Sequence, residues 1–207
     1  MRPLIPLLWL GACSEYRVES PPPLPPAEPP ESADEFGDPP DWNTCLSGWH
    51  AQYVNFTVDD EIVNPPRTET PAIDPYDLDW WEDVAFEQFD ATLDFGENWW
   101  PVDEGLRDDP QYFGVHWRAW IRTTSGVDVT MTLGSKDDAW IALNEEIIAS
   151  APGIHNFNPT IFATHIDSGQ YPIEGFYAQR KGQASGFQFR FLTGDLQLCY
   201  ADYTAAE

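Results

Sequence analysis

Positive charge is what this chain has least of: its 207 residues hold 10 lysines and arginines against 35 aspartates and glutamates, a formal net charge of −25. A surface so acidic neither releases counterions from a phosphate backbone nor adsorbs to an anionic bilayer, which excludes nucleic acids and leaves cations, neutral sugars and proteins as partners. Cysteine is scarce too, with Cys13, Cys45 and Cys199 alone. Of the four histidines, His50 and His116 fall in strand-like runs, His165 near a turn and His155 in a loop, with no zinc-ligand spacing among them. The sequence has no Gly-x-Ser-x-Gly elbow, His-Glu-x-x-His helix, phosphate-cradling glycine loop or cysteine with a histidine partner. Helical periodicity is nowhere sustained.

The abundant residues are aromatic, with 10 tryptophans and 12 phenylalanines, enough for a real core in one medium domain. The opening "MRPLIPLLWLGAC" carries one arginine, an apolar run too short to cross a bilayer as a helix, and Leu-Gly-Ala-Cys, which resembles a bacterial lipoprotein lipobox. That resemblance implies a signal peptide over residues 1–12, acylation of Cys13 as the only membrane attachment and, with Ser14 following, the outer membrane of a cell envelope. Residues 13–44 include "SPPPLPPAEPPESADEFGDPPD", whose prolines donate no ladder hydrogen bonds and whose acids repel one another, so this linker reads as an extended tether. With Cys13 modified, Cys45 and Cys199 remain at either end of the aromatic region. In an oxidising compartment they are expected to form a disulfide; two buried thiols are the alternative.

From Cys45 onward, apolar residues alternate with polar ones. "FDATLDFG" sets Phe89, Ala91, Leu93 and Phe95 on one face, and "GVHWRAWIR" sets Val115, Trp117, Ala119 and Ile121 opposite His116, Arg118, Trp120 and Arg122. After Ser125-Gly126 the alternation resumes in "VDVTMTL", which reads as a hairpin with the preceding strand. Further strands are expected on either side of Asn144 and on either side of the basic turn after Arg180. Residues 59–88 read as a long loop. The pattern predicts one all-β domain over residues 45–203, an antiparallel β-sandwich, with 204–207 as a tail.

Asp137 and Asp138 stand side by side in "GSKDDAW". Neighbouring carboxylates repel unless a metal ion or a basic side chain lies between them or water screens both. Arg180 and Lys136 are the basic candidates for an internal salt bridge.

The series "SGWHAQYVN", "RAWIRTTSGVDVTMTLGSKDDAWIALNEEII", "APGIH" and "GQYPIEGFYAQRKGQASGFQFRF" resembles the PA14 module of bacterial protective antigen, and within it the fibro-slime branch. The resemblance implies a lectin-like β-sandwich in which the aspartate pair, joined by a cis peptide bond, holds Ca2+. A third ligand from a later loop falls on Gln179, where the family has asparagine, and the ion's open positions take sugar hydroxyls. His155, Asn156 and Asn158 lie in one loop and are candidates for a sugar or metal contact, with a histidine that caps backbone groups as the leading alternative; Arg180 is a further candidate ligand contact. Trp99 and Trp100 are candidates for an exposed stacking platform, whereas Trp117 and Trp140 belong to the core by their place in the alternation. Adjacent aspartates are badly placed for glycoside hydrolysis, which needs two carboxyls facing one another across roughly 5–9 Å. The expected function is therefore non-catalytic: a lipid-anchored surface protein that binds carbohydrate through calcium. An interaction or assembly module with purely structural aspartates is the alternative, and a glycoside hydrolase the more distant one.

Overall fold

The computed structural model describes residues 38–57, 61–65, 73–77, 80–81, 84–101, 111–180 and 184–200. The lipobox with Cys13, the tether up to residue 37 and the tail at 204–207 lie outside the described residues.

Eleven strands make up the described fold: β1 (Trp49–Asn55), β2 (Val84–Asp90), β3 (Leu93–Glu97), β4 (Phe113–Thr123), β5 (Val127–Ser135), β6 (Asp138–Leu143), β7 (Glu146–Ala151), β8 (Thr160–Ile166), β9 (Gly169–Gln179), β10 (Gly186–Thr193) and β11 (Gln197–Cys199). Seven form one sheet in the order β2-β1-β4-β9-β6-β7, with β11 also paired to β4; the other sheet is β3-β10-β5-β8. All pairs are antiparallel. The fold is thus the expected all-β antiparallel sandwich.

Strand alternation explains the main core. Val115, Trp117, Ala119 and Ile121 of β4 are completely buried, meeting Val129, Met131 and Leu133 of β5 and Phe187 of β10 from the opposite sheet. The other face of the larger sheet is also covered near the start of β4. There Phe56, Val63, Ile73 and Trp81 pack on Trp140, Phe176 and Ala178. A Cβ at Gly114 would lie 2.6 Å from Phe56 Cζ and 2.8 Å from Trp81 Cζ3, so only glycine lets this cover approach the strand. Strands buried on both faces read as continuous apolar runs, as "AWIAL" in β6 does.

Several expectations are corrected. β4 and β5 form no hairpin: β4 pairs with β1, β9 and β11, and β5 with β8 and β10, so the Ser125-Gly126 turn passes the chain between sheets. The run 89–96 is two strands, broken at Ala91-Thr92, and β2 and β3 join different sheets. The expected face holds only for Leu93 and Phe95, which pack into the core; Phe89 and Ala91 are exposed, and Asp90 is buried instead because its carboxylate accepts from Tyr53 Oη at 2.6 Å and Trp117 Nε1 at 2.8 Å. The region 59–88 is not all loop, since β2 begins at Val84. Trp117 and Trp140 are buried as the alternation required, Trp140 in the second cluster.

Cys45 and Cys199 are joined in a disulfide, with Cα atoms 5.7 Å apart. Cys199 pairs with Trp120 on β4, and Tyr200 N–H donates to Leu46 O at 2.8 Å. The chain therefore enters the sandwich at the Trp120–Arg122 end of β4. The Phe113 end, next to Gln179 and Asn55, forms the opposite pole.

Candidate functional site

The Asp137–Asp138 pair sits at the Phe113 pole. Asp138 opens β6 opposite Ala178 of β9, which is in turn opposite Gly114 of β4. Asp137 reaches the strand through a left-handed backbone, φ 64°, a conformation that aspartate tolerates better than most residues. No cis peptide bond occurs among the described residues, so the 137–138 linkage departs from what the resemblance implies. Ser135 Oγ donates to Asp137 O at 2.8 Å and closes the turn.

Asp137, Asp138, Gln179 and Arg180 are brought together here, each with 0% relative exposure. Arg180 Nε donates to Asp138 Oδ2 at 2.7 Å, and its backbone N–H donates to Asp137 Oδ2 at 3.2 Å. Nη1 of the same guanidinium donates to Ile62 O at 3.1 Å, tying in the segment that covers the sheet. The remaining carboxylate oxygens take donors from one loop: Gly153 N–H reaches Asp138 Oδ1 at 2.5 Å and His155 N–H reaches Asp137 Oδ1 at 3.2 Å. Lys136 Nζ lies 3.4 Å from Asp137 Oδ1. Burial pushes the Asp138 carboxyl above its usual range, against the charge of Arg180 and the Gly153 N–H, and the neighbouring Asp137 adds to the rise.

This donor set does not fit calcium. The ion needs six to eight oxygens with lone pairs turned to one centre, at about 2.3–2.6 Å. Here every carboxylate oxygen of the pair already accepts from a protein N–H. Gln179 Oε1 accepts from Tyr177 Oη at 2.6 Å, while its Nε2 donates to Ala184 O at 2.9 Å. The described residues contain no group of three or more His, Cys, Asp or Glu side chains able to hold a metal. Of the readings the sequence left open, the internal Asp–Arg salt bridge matches this geometry.

The other expected contact residues divide. Asn156 and Asn158 are exposed in the β7–β8 loop, with Asn158 N–H donating to Ser135 O at 3.3 Å. His155 is half-buried, its ring nitrogens 2.9 Å from Asn156 O and 3.1 Å from Ala151 O, and it acts as a backbone cap. Arg180, expected to touch ligand, is out of reach of solvent. Trp99 is no exposed platform: its ring stacks on Phe95 at 3.9 Å and packs edge-on to Phe113, contacts that take its apolar faces out of water. Trp100 is likewise half-buried and packs against the core near Phe113.

Sequence reading missed Tyr177, Gly153 and Ile62 as parts of this cluster. Tyr177 had a signal, since it lies two residues before Gln179 on the same face of β9. Gly153 and Ile62 contribute backbone groups, which no side-chain pattern reports.

A second polar group lies on the outer face of the larger sheet, where His116 Nε2 is 2.7 Å from Glu174 Oε2 and His50 Nε2 is 3.3 Å from Glu87 Oε2. Phe176 stacks on the His116 ring at 4.4 Å, and Trp81 lies against both. Burial lowers the His116 pKa, opposed by the hydrogen bond to Glu174.

No protein-family model matches the chain, and no curated protein matches it in sequence. Solved structures do superpose on it. An anti-sigma factor domain-containing protein aligns with a TM-score of 0.52 at 17% identity, over 78% of this chain and 48% of that one, so the chain spans about half its length. The A domain of Epithelial Adhesin 9 from Candida glabrata, in complex with Galβ1-4GlcNAc, aligns with a TM-score of 0.54 at 14% identity, over 81% of this chain and 95% of that domain. The PA14 domain of the MpAFP antifreeze protein aligns with a TM-score of 0.54 at 12% identity, over 82% and 98%. At such identities the likeness is one of fold, and in fold this chain is a PA14-like antiparallel β-sandwich.

Proposed function

We propose that this protein is a non-catalytic carbohydrate-binding adhesion module of the fibro-slime type, held at a bacterial outer membrane through Cys13 and its proline-rich tether. The observation that carries the reading is the braced loop at the Phe113 pole: Gly153 and His155 are fastened through backbone N–H groups to buried aspartates, leaving Asn156 and Asn158 exposed. Rigid loops bearing amide side chains suit sugar hydroxyls, since each amide both donates and accepts without an ordering cost for the backbone. Position supports this too. The chain enters at the Trp120 end of β4, and Gly114 lies six residues away, about 20 Å at 3.3 Å per residue, so an N-terminal anchor leaves the loop facing outward. The adhesin domain of like fold binds a galactosyl disaccharide. Calcium has no part in this reading, because its expected ligands are already engaged.

The test is a glycan array probed with the full chain, with Asn156→Ala and Asn158→Ala compared against the parent. Loss of retention by about tenfold at an unchanged melting temperature is the expected result. Retention of no glycan, or retention indifferent to both substitutions, overturns it and favours an interaction or assembly module. That second reading draws on the structural role of the aspartates, which brace loops and offer a ligand no open coordination position.

A further inference from the structure

The aspartate pair has the convergence of a cation site and the saturation of a finished one. A single residue bridges both carboxylates, as a divalent ion would: the Arg180 backbone N–H takes Asp137 Oδ2 and its Nε takes Asp138 Oδ2. Its Nη1 also takes a carbonyl oxygen, that of Ile62, which is the kind of donor calcium accepts. The formal charges close, since the guanidinium of Arg180 and the ammonium of Lys136 together oppose two carboxylates. A calcium ion added to this arrangement would bring two surplus positive charges into a region with no exposure to water.

We propose that Arg180 is a built-in counter-ion occupying the place of a divalent cation, so that the Phe113 pole is metal-independent as built and becomes calcium-dependent only when the guanidinium is removed. The proposal does not rest on carbohydrate binding. Taking away the guanidinium leaves Asp138 Oδ2 and the Ile62 carbonyl facing a gap of uncompensated negative character, beside an Asp137 that still accepts from the backbone N–H groups of residues 155 and 180 and has Lys136 as its nearby cation. Hard oxygen donors around such a gap are what calcium selects.

The test uses the full chain, stripped with chelator. Calorimetric titration of the parent protein with calcium chloride is expected to show no site tighter than about 1 mM, the weak limit of protein calcium sites. Its melting temperature is expected to be the same in chelator and in millimolar calcium. A tighter site in the parent, or a melting temperature that falls on chelation, overturns the proposal. Arg180→Gln is expected to melt about 10 °C lower in chelator and to recover several degrees in millimolar calcium, with no recovery in sodium chloride of equal ionic strength. A variant that gains nothing from calcium, or stays unfolded at every calcium concentration, overturns the exchange of guanidinium for ion. Neither readout involves a sugar, so an empty glycan array and a failed calcium test remain distinguishable.

Discussion

Arg180 Nε donates to Asp138 Oδ2 across 2.7 Å with neither side chain exposed, and this contact joins residues 42 apart in sequence. Breaking one side of a buried pair leaves the other charge in a medium that cannot solvate it. Asp138→Asn is expected to cost about 3–5 kcal/mol, read from the midpoint of a denaturant titration. Lys136→Gln touches a partner that is partly solvated and 3.4 Å away, and should cost well under half as much.

The buried His116 makes stability fall on acidification. Desolvation sets its pKa below the usual 6.5, more than offsetting the Glu174 hydrogen bond, and the nearby charges of Arg118 and His50 push the same way. Between the folded value and 6.5 the unfolded chain binds more protons, so the contribution is intact above 6.5 and is lost as pH falls through the folded value. Unfolding free energies measured from pH 8 to pH 5 should decline, and the decline should be shallower in His116→Gln. A slope unchanged in that variant would move the acid sensitivity elsewhere.

Trp99 distinguishes core from platform. Its ring stacks on Phe95 and meets Phe113 edge-on, so Trp99→Ala is expected to lose about 3 kcal/mol of stability through cavity formation. Any glycan retention should be unchanged per folded molecule.

The disulfide closes a separation of 154 residues. In the chain-entropy account a loop of that length contributes about 5 kcal/mol by restricting the unfolded state. The double variant Cys45→Ser, Cys199→Ser should lose stability of that order in chemical denaturation, and reductant should leave the melting temperature of the double variant alone while lowering that of the parent.

Much of the architecture was legible because burial imposes a period of two. In β4 and β5 the apolar members of the alternation are the residues that face the opposite sheet. Alternation reports which face is buried and is silent about which strand lies alongside, so the supposed β4–β5 hairpin was a crossing between sheets. The cover over Gly114 was illegible for another reason. Val63, Ile73 and Trp81 are scattered among prolines and acids with no period, and only the apolar outward positions of β6 and β9, such as Trp140 and Phe176, hinted that something sits on them.

Composition and local pattern alone determined that this chain is acidic and sandwich-forming, and offered Cys45 and Cys199 as a pair that the structure then joins, because charge totals, strand periodicity and cysteine supply are properties of the sequence itself. They also determined that Asp137 and Asp138 need either a compensating charge or water around both. Which charge, only the tertiary structure decided: β9 carries Arg180 past the start of β6, where its backbone and side chain each take one carboxylate. Contacts between residues so distant depend on how strands are ordered in the sheet, and that order is set by the packing of the whole core.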